Sequence, residues 1–198
     1  MKFLNYIFLS LLILSLTACS QPQEEVPAVI EDIVETDART DFFNNLHQLC
    51  GATFTGEASY PENDDHALVG TGLRTYVSEC TDSMVRIELF RNDGEYWHGA
   101  WVLEQREEGL HLFHDHLGDA RTMDDLGEGD YHGYGGFANL EGTATRQFFP
   151  ADEVTAEIIP AAATNVWMMD LDFENEVFTY YLERHNEPRF RAELARAE

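Results

Sequence analysis

Lysine is almost missing from this chain. A single lysine, Lys2, stands beside 11 arginines, against 37 aspartates and glutamates. The formal net charge of −25 makes nucleic acid and anionic lipid surfaces poor partners. Cysteine is scarce too, at 3 in 198 residues, and the absence of any Cys-x-x-Cys removes the simplest redox motif. No apolar run reaches the ~20 residues that a membrane-spanning helix needs. Also missing are a Gly-x-Ser-x-Gly elbow, a phosphate loop, a His-Glu-x-x-His pair and a dinucleotide fingerprint. The common hydrolase and nucleotide-binding classes therefore lose their most direct support. No internal repeat of fixed length stands out.

What is present begins with an address. Lys2 supplies a short positive segment, and the stretch 3–16 is almost wholly apolar, the length of a signal-peptide core. It ends in Leu16-Thr17-Ala18-Cys19, which resembles the lipobox of bacterial lipoproteins. That resemblance implies a signal peptide over 1–18, cleavage before Cys19, and acylation of Cys19 with fatty acids such as palmitate. Two acyl chains already suffice for stable anchoring to a membrane. Ser20, where an aspartate is lacking, implies an outer-membrane location facing the periplasm. The competing reading is an ordinary cleaved signal with a chance cysteine. Residues 19–39 then read as a tether, acidic and carrying two prolines, too polar to order itself.

Residues 40–198 have the size of one domain. With Lys2 removed, 11 arginines face 37 acids, a net charge of −26. Such a surface fits proteins from salty habitats, the alternative being a cation-collecting face. Cys50 and Cys80 form an even pair for an oxidising compartment, so a disulfide is expected, with free buried thiols as the alternative. Closing a loop of about 31 residues would contribute roughly 3–4 kcal/mol.

Periodicity sets the fold class. Thr40 is placed to cap a short helix whose stripe is Phe42, Phe43, Leu46, Leu49 and Cys50, ended by Gly51. Thereafter the period is two. Val85, Ile87 and Leu89 alternate with Arg86 and Glu88, and Phe178, Tyr180 and Leu182 with Thr179, Tyr181 and Glu183. Phe190, Ala192 and Leu194 alternate with Arg189 and Arg191. Further runs lie at 52–59, 72–80, 96–104, 109–116, 134–139, 142–149 and 164–171. About ten short strands with turn signals such as Asn92-Asp93-Gly94 predict an all-β antiparallel barrel or sandwich.

Two resemblances narrow this. The segment Leu49-Cys50-Gly51-Ala52-Thr53-Phe54-Thr55-Gly56 resembles the opening of calycin-type barrels, the lipocalins and nitrobindin-like proteins, and implies a calycin-like barrel. A longer string runs from His114-Asp115-His116 through Tyr134-Gly135-Gly136, Gly142-Thr143 and Gln147-Phe148-Phe149-Pro150-Ala151-Asp152. It continues with Thr164-Asn165-Val166-Trp167, Arg184 and Phe190-Arg191. It resembles a family of exported bacterial proteins that brings no activity with it. The segment Leu117-Gly118-Asp119-Ala120-Arg121 departs from that family, which often carries a basic-acidic stretch there.

The candidate chemistry centres on His114, Asp115 and His116. On a strand the two histidines share a face with Leu110 and Leu112, a spacing suited to one divalent metal or a haem iron. The third ligand would be His132, His98 or an acid of the 119–130 loop; structural histidines are the alternative. The loop Asp124–Asp130 offers oxygens for calcium without EF-hand spacing, and a solvated turn is the preferred reading. Trp97, Trp101 and Trp167, with Tyr76, Tyr96, Tyr180 and Tyr181, line a cavity or fill a core. Arg184, Arg189 and Arg191 clamp an anion or pair with the surplus acids. Three functions compete: a non-enzymatic carrier or sensor binding a small molecule in the barrel mouth through residues such as His114, His116, Trp167 and Arg184; a metal- or haem-dependent activity on the same histidines; or a structural envelope protein with a filled barrel.

Overall fold

A computed structural model describes residues 37–60, 68–116 and 132–198. The expected signal segment 1–18, the expected lipidation site at Cys19, most of the segment read as a tether and the acidic 119–130 loop lie outside the described residues. Among the described residues, no helix is long and apolar enough to cross a membrane.

The chain opens with α1 (Ala38–His47). Asp37 rather than Thr40 is its N-cap, the carboxylate accepting from the Arg39 N–H at 2.9 Å. The helix therefore starts earlier than the Thr40 signal predicts, because an aspartate three residues upstream caps as well. Its buried face is Phe42, Phe43 and Leu46, and Gly51 at φ +80° turns the chain out of it.

Ten strands follow: β1 (Thr53–Tyr60), β2 (Leu73–Cys80), β3 (Met84–Arg91), β4 (Tyr96–Arg106), β5 (Gly109–Asp115), β6 (Tyr134–Phe137), β7 (Arg146–Pro150), β8 (Asn165–Asp172), β9 (Val177–Arg184) and β10 (Glu187–Arg196). Hydrogen-bonded neighbours run β6-β5-β4-β3-β2-β1-β10-β9-β8-β7, and every pair is antiparallel. Each strand thus sits beside its neighbours in sequence, and β1 joins β10. This is an up-and-down, nearly closed barrel. The remaining seam lies between β6 and β7. There the Asn139 N–H donates to the Phe148 carbonyl at 2.9 Å and the Asp152 N–H to the Gly135 carbonyl at 3.0 Å. A side chain at Gly136 would run into the Pro150 carbonyl, so the close approach requires glycine.

One helix was not foreseen. The short α2 (Glu153–Ile158) follows β7 and leads into a 3-10 turn at Pro160–Ala162. Asp152 caps α2 by accepting from the Thr155 N–H at 2.7 Å.

Alternation decides what points inward. Phe54, Val77, Ile87, Leu89, Trp101, Leu103, Leu112, Phe149, Trp167, Met169, Phe178 and Leu194 share one core with Phe42, Phe43 and Leu46 of α1. α1 packs against β3, β4, β5 and β7, and the Asn45 amide donates to the Ala144 carbonyl at 2.9 Å. Cys50 and Cys80 are bridged, their Cα atoms 6.2 Å apart, which ties the helix exit to the end of β2.

Candidate functional site

The helix end and the opposite end of the barrel differ in chemistry. β5 starts at Gly109, against the Arg39 side chain of α1, and carries His114 near its other end. Its register with β4 and β6 aligns Trp101, His114 and Tyr134 in one row. Across the barrel, Phe149, Trp167 and Leu182 form a second row on β7, β8 and β9. The rows meet where Tyr134 stacks on Trp167, ring centres 5.5 Å apart and planes 27° apart. Tyr180 adds a further ring 4.3 Å from Trp101. Aromatic side chains thus occupy the middle of the barrel, and burial holds the Tyr180 phenol well above its ordinary range.

His114 is buried within this layer. Neither of its ring nitrogens finds a hydrogen-bond partner among the described residues, nor does the indole N–H of Trp101. Burial lowers the His114 pKa well below its ordinary value, and the neighbouring charges of His116 and His98 push the same way. The three imidazoles follow one another: His114 to His116 at 5.5 Å and His116 to His98 at 5.1 Å between ring centres. His132 does not join them. It packs on Phe113, 5.4 Å away, on the opposite face of β5. Among the described residues, no three His, Cys, Asp or Glu side chains are arranged to hold a metal ion.

Asp115 faces outward and accepts from Arg86 at 2.8 Å, so it forms a surface ion pair away from the interior. His111, also outward, is buried under the seam, its Nε2 3.4 Å from the Asp152 carboxylate. Trp167 is a buried core residue rather than a lining one.

Beyond Tyr134 the barrel opens into a cavity of about 200 Å³ lined by Tyr134, Ile159, Ala162, Asn165, Leu182, Arg184 and Arg189. Register brings Asn165 opposite Arg184, and the guanidinium Nε donates to the Asn165 Oδ1 at 2.7 Å. Asn165 is itself buried, which fixes the arginine's direction. Burial lowers the Arg184 pKa, and the nearby charge of Arg189 adds to the effect. The 3-10 turn after α2 supplies Ile159 and Ala162 as an apolar wall.

Of the residues singled out from sequence, Arg184 and Arg189 come together here, while Arg191 pairs with Glu193 instead. Sequence reasoning passed over Ile159, Ala162 and Leu182 as lining residues. The available signal was Asp152 ahead of Thr155, an N-cap pattern, followed by Pro160. Set against known protein families, curated proteins and solved structures, the chain matches none of them.

Proposed function

We propose that this chain is a lipid-anchored lipoprotein of the cell envelope, held at the outer membrane and facing the periplasm, that binds a small molecule at the open end of its barrel. The observation that carries the reading is the cavity beyond Tyr134, where guanidinium, amide and phenol groups meet an apolar wall. Concave sites that combine an apolar lining with a few placed polar groups are the usual form of a small-molecule site. Among the described residues its lining offers guanidinium, amide and phenol groups beside apolar side chains and no histidine, cysteine, serine or carboxylate, a set that favours binding.

A second reading, a structural envelope protein, is favoured by the aromatic layer that fills the barrel middle. The two separate in a thermal-shift screen with small carboxylates, phosphates, amines and neutral alcohols. At least one class should raise the melting temperature of the parent and fail with Ala162→Trp, which fills the cavity. If no class shifts the parent, the structural reading takes its place.

A further inference from the structure

We propose that the cavity takes a compact oxyanion, a carboxylate or phosphate on a short apolar body, gripped by Arg184 and Arg189; the proposal rests on the mouth-binding reading above.

The case begins with how arginines are used in a chain so rich in acids. Arg39, Arg86, Arg106, Arg146, Arg191 and Arg196 each hold a carboxylate within ion-pair distance. Arg74, Arg91, Arg184 and Arg189 do not pair with any carboxylate among the described residues, and of these four Arg184 and Arg189 line one cavity together. Two like charges placed together with no carboxylate paired to either among the described residues attract an anion.

Arg184 is also built for the task. Its Nε is engaged by the neutral Asn165 amide, which orients the guanidinium without neutralising it. Its terminal nitrogens have no partner among the described residues, and a guanidinium edge matches two oxygens of a carboxylate or phosphate. Asn165 lies at the first position of β8 and Arg184 at the last of β9, so the sheet itself sets this geometry.

The remaining lining describes the rest of the ligand. Ile159, Ala162 and Leu182 are apolar, and Tyr134 presents a ring backed by Trp167. A volume of about 200 Å³ equals the liquid share of about seven waters, which suits a body of ring size and excludes a long acyl chain from full enclosure.

Isothermal titration calorimetry on the full chain in neutral detergent tests this, with benzoate, phenyl phosphate and the neutral benzamide as probes. One or both anions should bind at least tenfold more tightly than benzamide. Preference between them identifies a carboxylate or a phosphate as the head group. Arg189→Met, at an exposed position outside the core, should weaken the anion at least tenfold more than it weakens benzamide; Arg184→Met should do the same, with Arg184→Lys intermediate. Anions that bind no better than benzamide, or bind Arg189→Met as well as the parent, overturn the oxyanion proposal. In that case benzamide binding that Ala162→Trp abolishes keeps the mouth reading alive. Failure of all three probes on the parent overturns the oxyanion proposal as well, and the thermal-shift screen then decides the mouth reading by itself.

Discussion

His114 sits where the strand pattern of Leu110 and Leu112 would accept another leucine. Both of its nitrogens are without partners among the described residues, and Gly99 makes room for the ring, since a Cβ there would stand 3.2 Å from Nε2. An unpartnered buried polar group costs about 1–3 kcal/mol, so His114→Leu should leave stability at pH 7.5 unchanged or raise it by roughly 1 kcal/mol. The pH dependence follows from burial. The native imidazole stays neutral while the unfolded one takes up a proton below its ordinary value near 6.5. The unfolded chain then binds more protons, and stability falls as pH drops through and below that value. His111 shares the direction, through burial first and then the charge of Arg106. Comparison of parent and His114→Leu therefore isolates His114: the mutant's melting temperature should fall less between pH 7.5 and 5. A variant that loses several kcal/mol, or that keeps the parent's full acid slope, would remove this account.

At the scale of elements, the seam between β6 and β7 is the place to test closure. Thr155 on α2 accepts from the Gly135 N–H at 2.8 Å and donates to the Gly135 carbonyl at 2.9 Å, all of it buried. Thr155→Val keeps the shape and deletes both bonds, at a cost of about 1–3 kcal/mol. In a domain of this size that lowers the melting temperature by roughly 2–12 °C, read by circular dichroism. No change would mean that the seam is held elsewhere. The Cys50–Cys80 bridge spans 30 positions, and Cys80→Ser should cost about 3–4 kcal/mol in the same assay. Thiol counting on the unfolded, unreduced parent should find neither cysteine free.

These elements also show how far sequence alone reaches. Strands such as β3 were plain because one face is buried, so apolar residues recur at every second position. Turn signals such as Asn92-Asp93-Gly94 mark short connections between antiparallel strands, and in the structure all three residues adopt positive φ. By contrast, α2 has six residues and exposes Val154 and Ile158, so it carries no apolar stripe to read. The site was legible by residue and not by partner. Arg184, Arg189 and Arg191 look alike in a string, but Arg191 pairs with Glu193 two positions along its own strand, while the register of β8 with β9 hands Arg184 to Asn165. Likewise His114 and His116 share a strand face as their spacing implies, whereas His132 falls outside because its ring meets Phe113 on the other face.

The molecule as a whole is governed by its charge and, under the proposed function, by its anchor. A net charge of −25 over 198 residues makes the folded state repel itself. Raising ionic strength from 0.01 M to 1 M shortens the screening length from about 30 Å to about 3 Å, so the melting temperature should climb with sodium chloride. A fall would show that the described ion pairs outweigh the repulsion. The same charge bears on how the chain is retained at a membrane. A polyanion gains nothing from anionic headgroups, so no electrostatic contact replaces a lost lipid. If the Leu16-Thr17-Ala18-Cys19 resemblance holds, retention of the mature chain depends wholly on acyl chains attached to Cys19. Cys19→Ser should then abolish labelling by a radioactive fatty acid. The variant should either leave the membrane or persist as a larger, uncut precursor held by its apolar segment 3–16, and gel mobility separates these two forms. Both agree with a lipobox. Continued fatty-acid labelling of Cys19→Ser would place the lipid on another residue and end the lipoprotein reading, while the barrel and its mouth would stand unaffected.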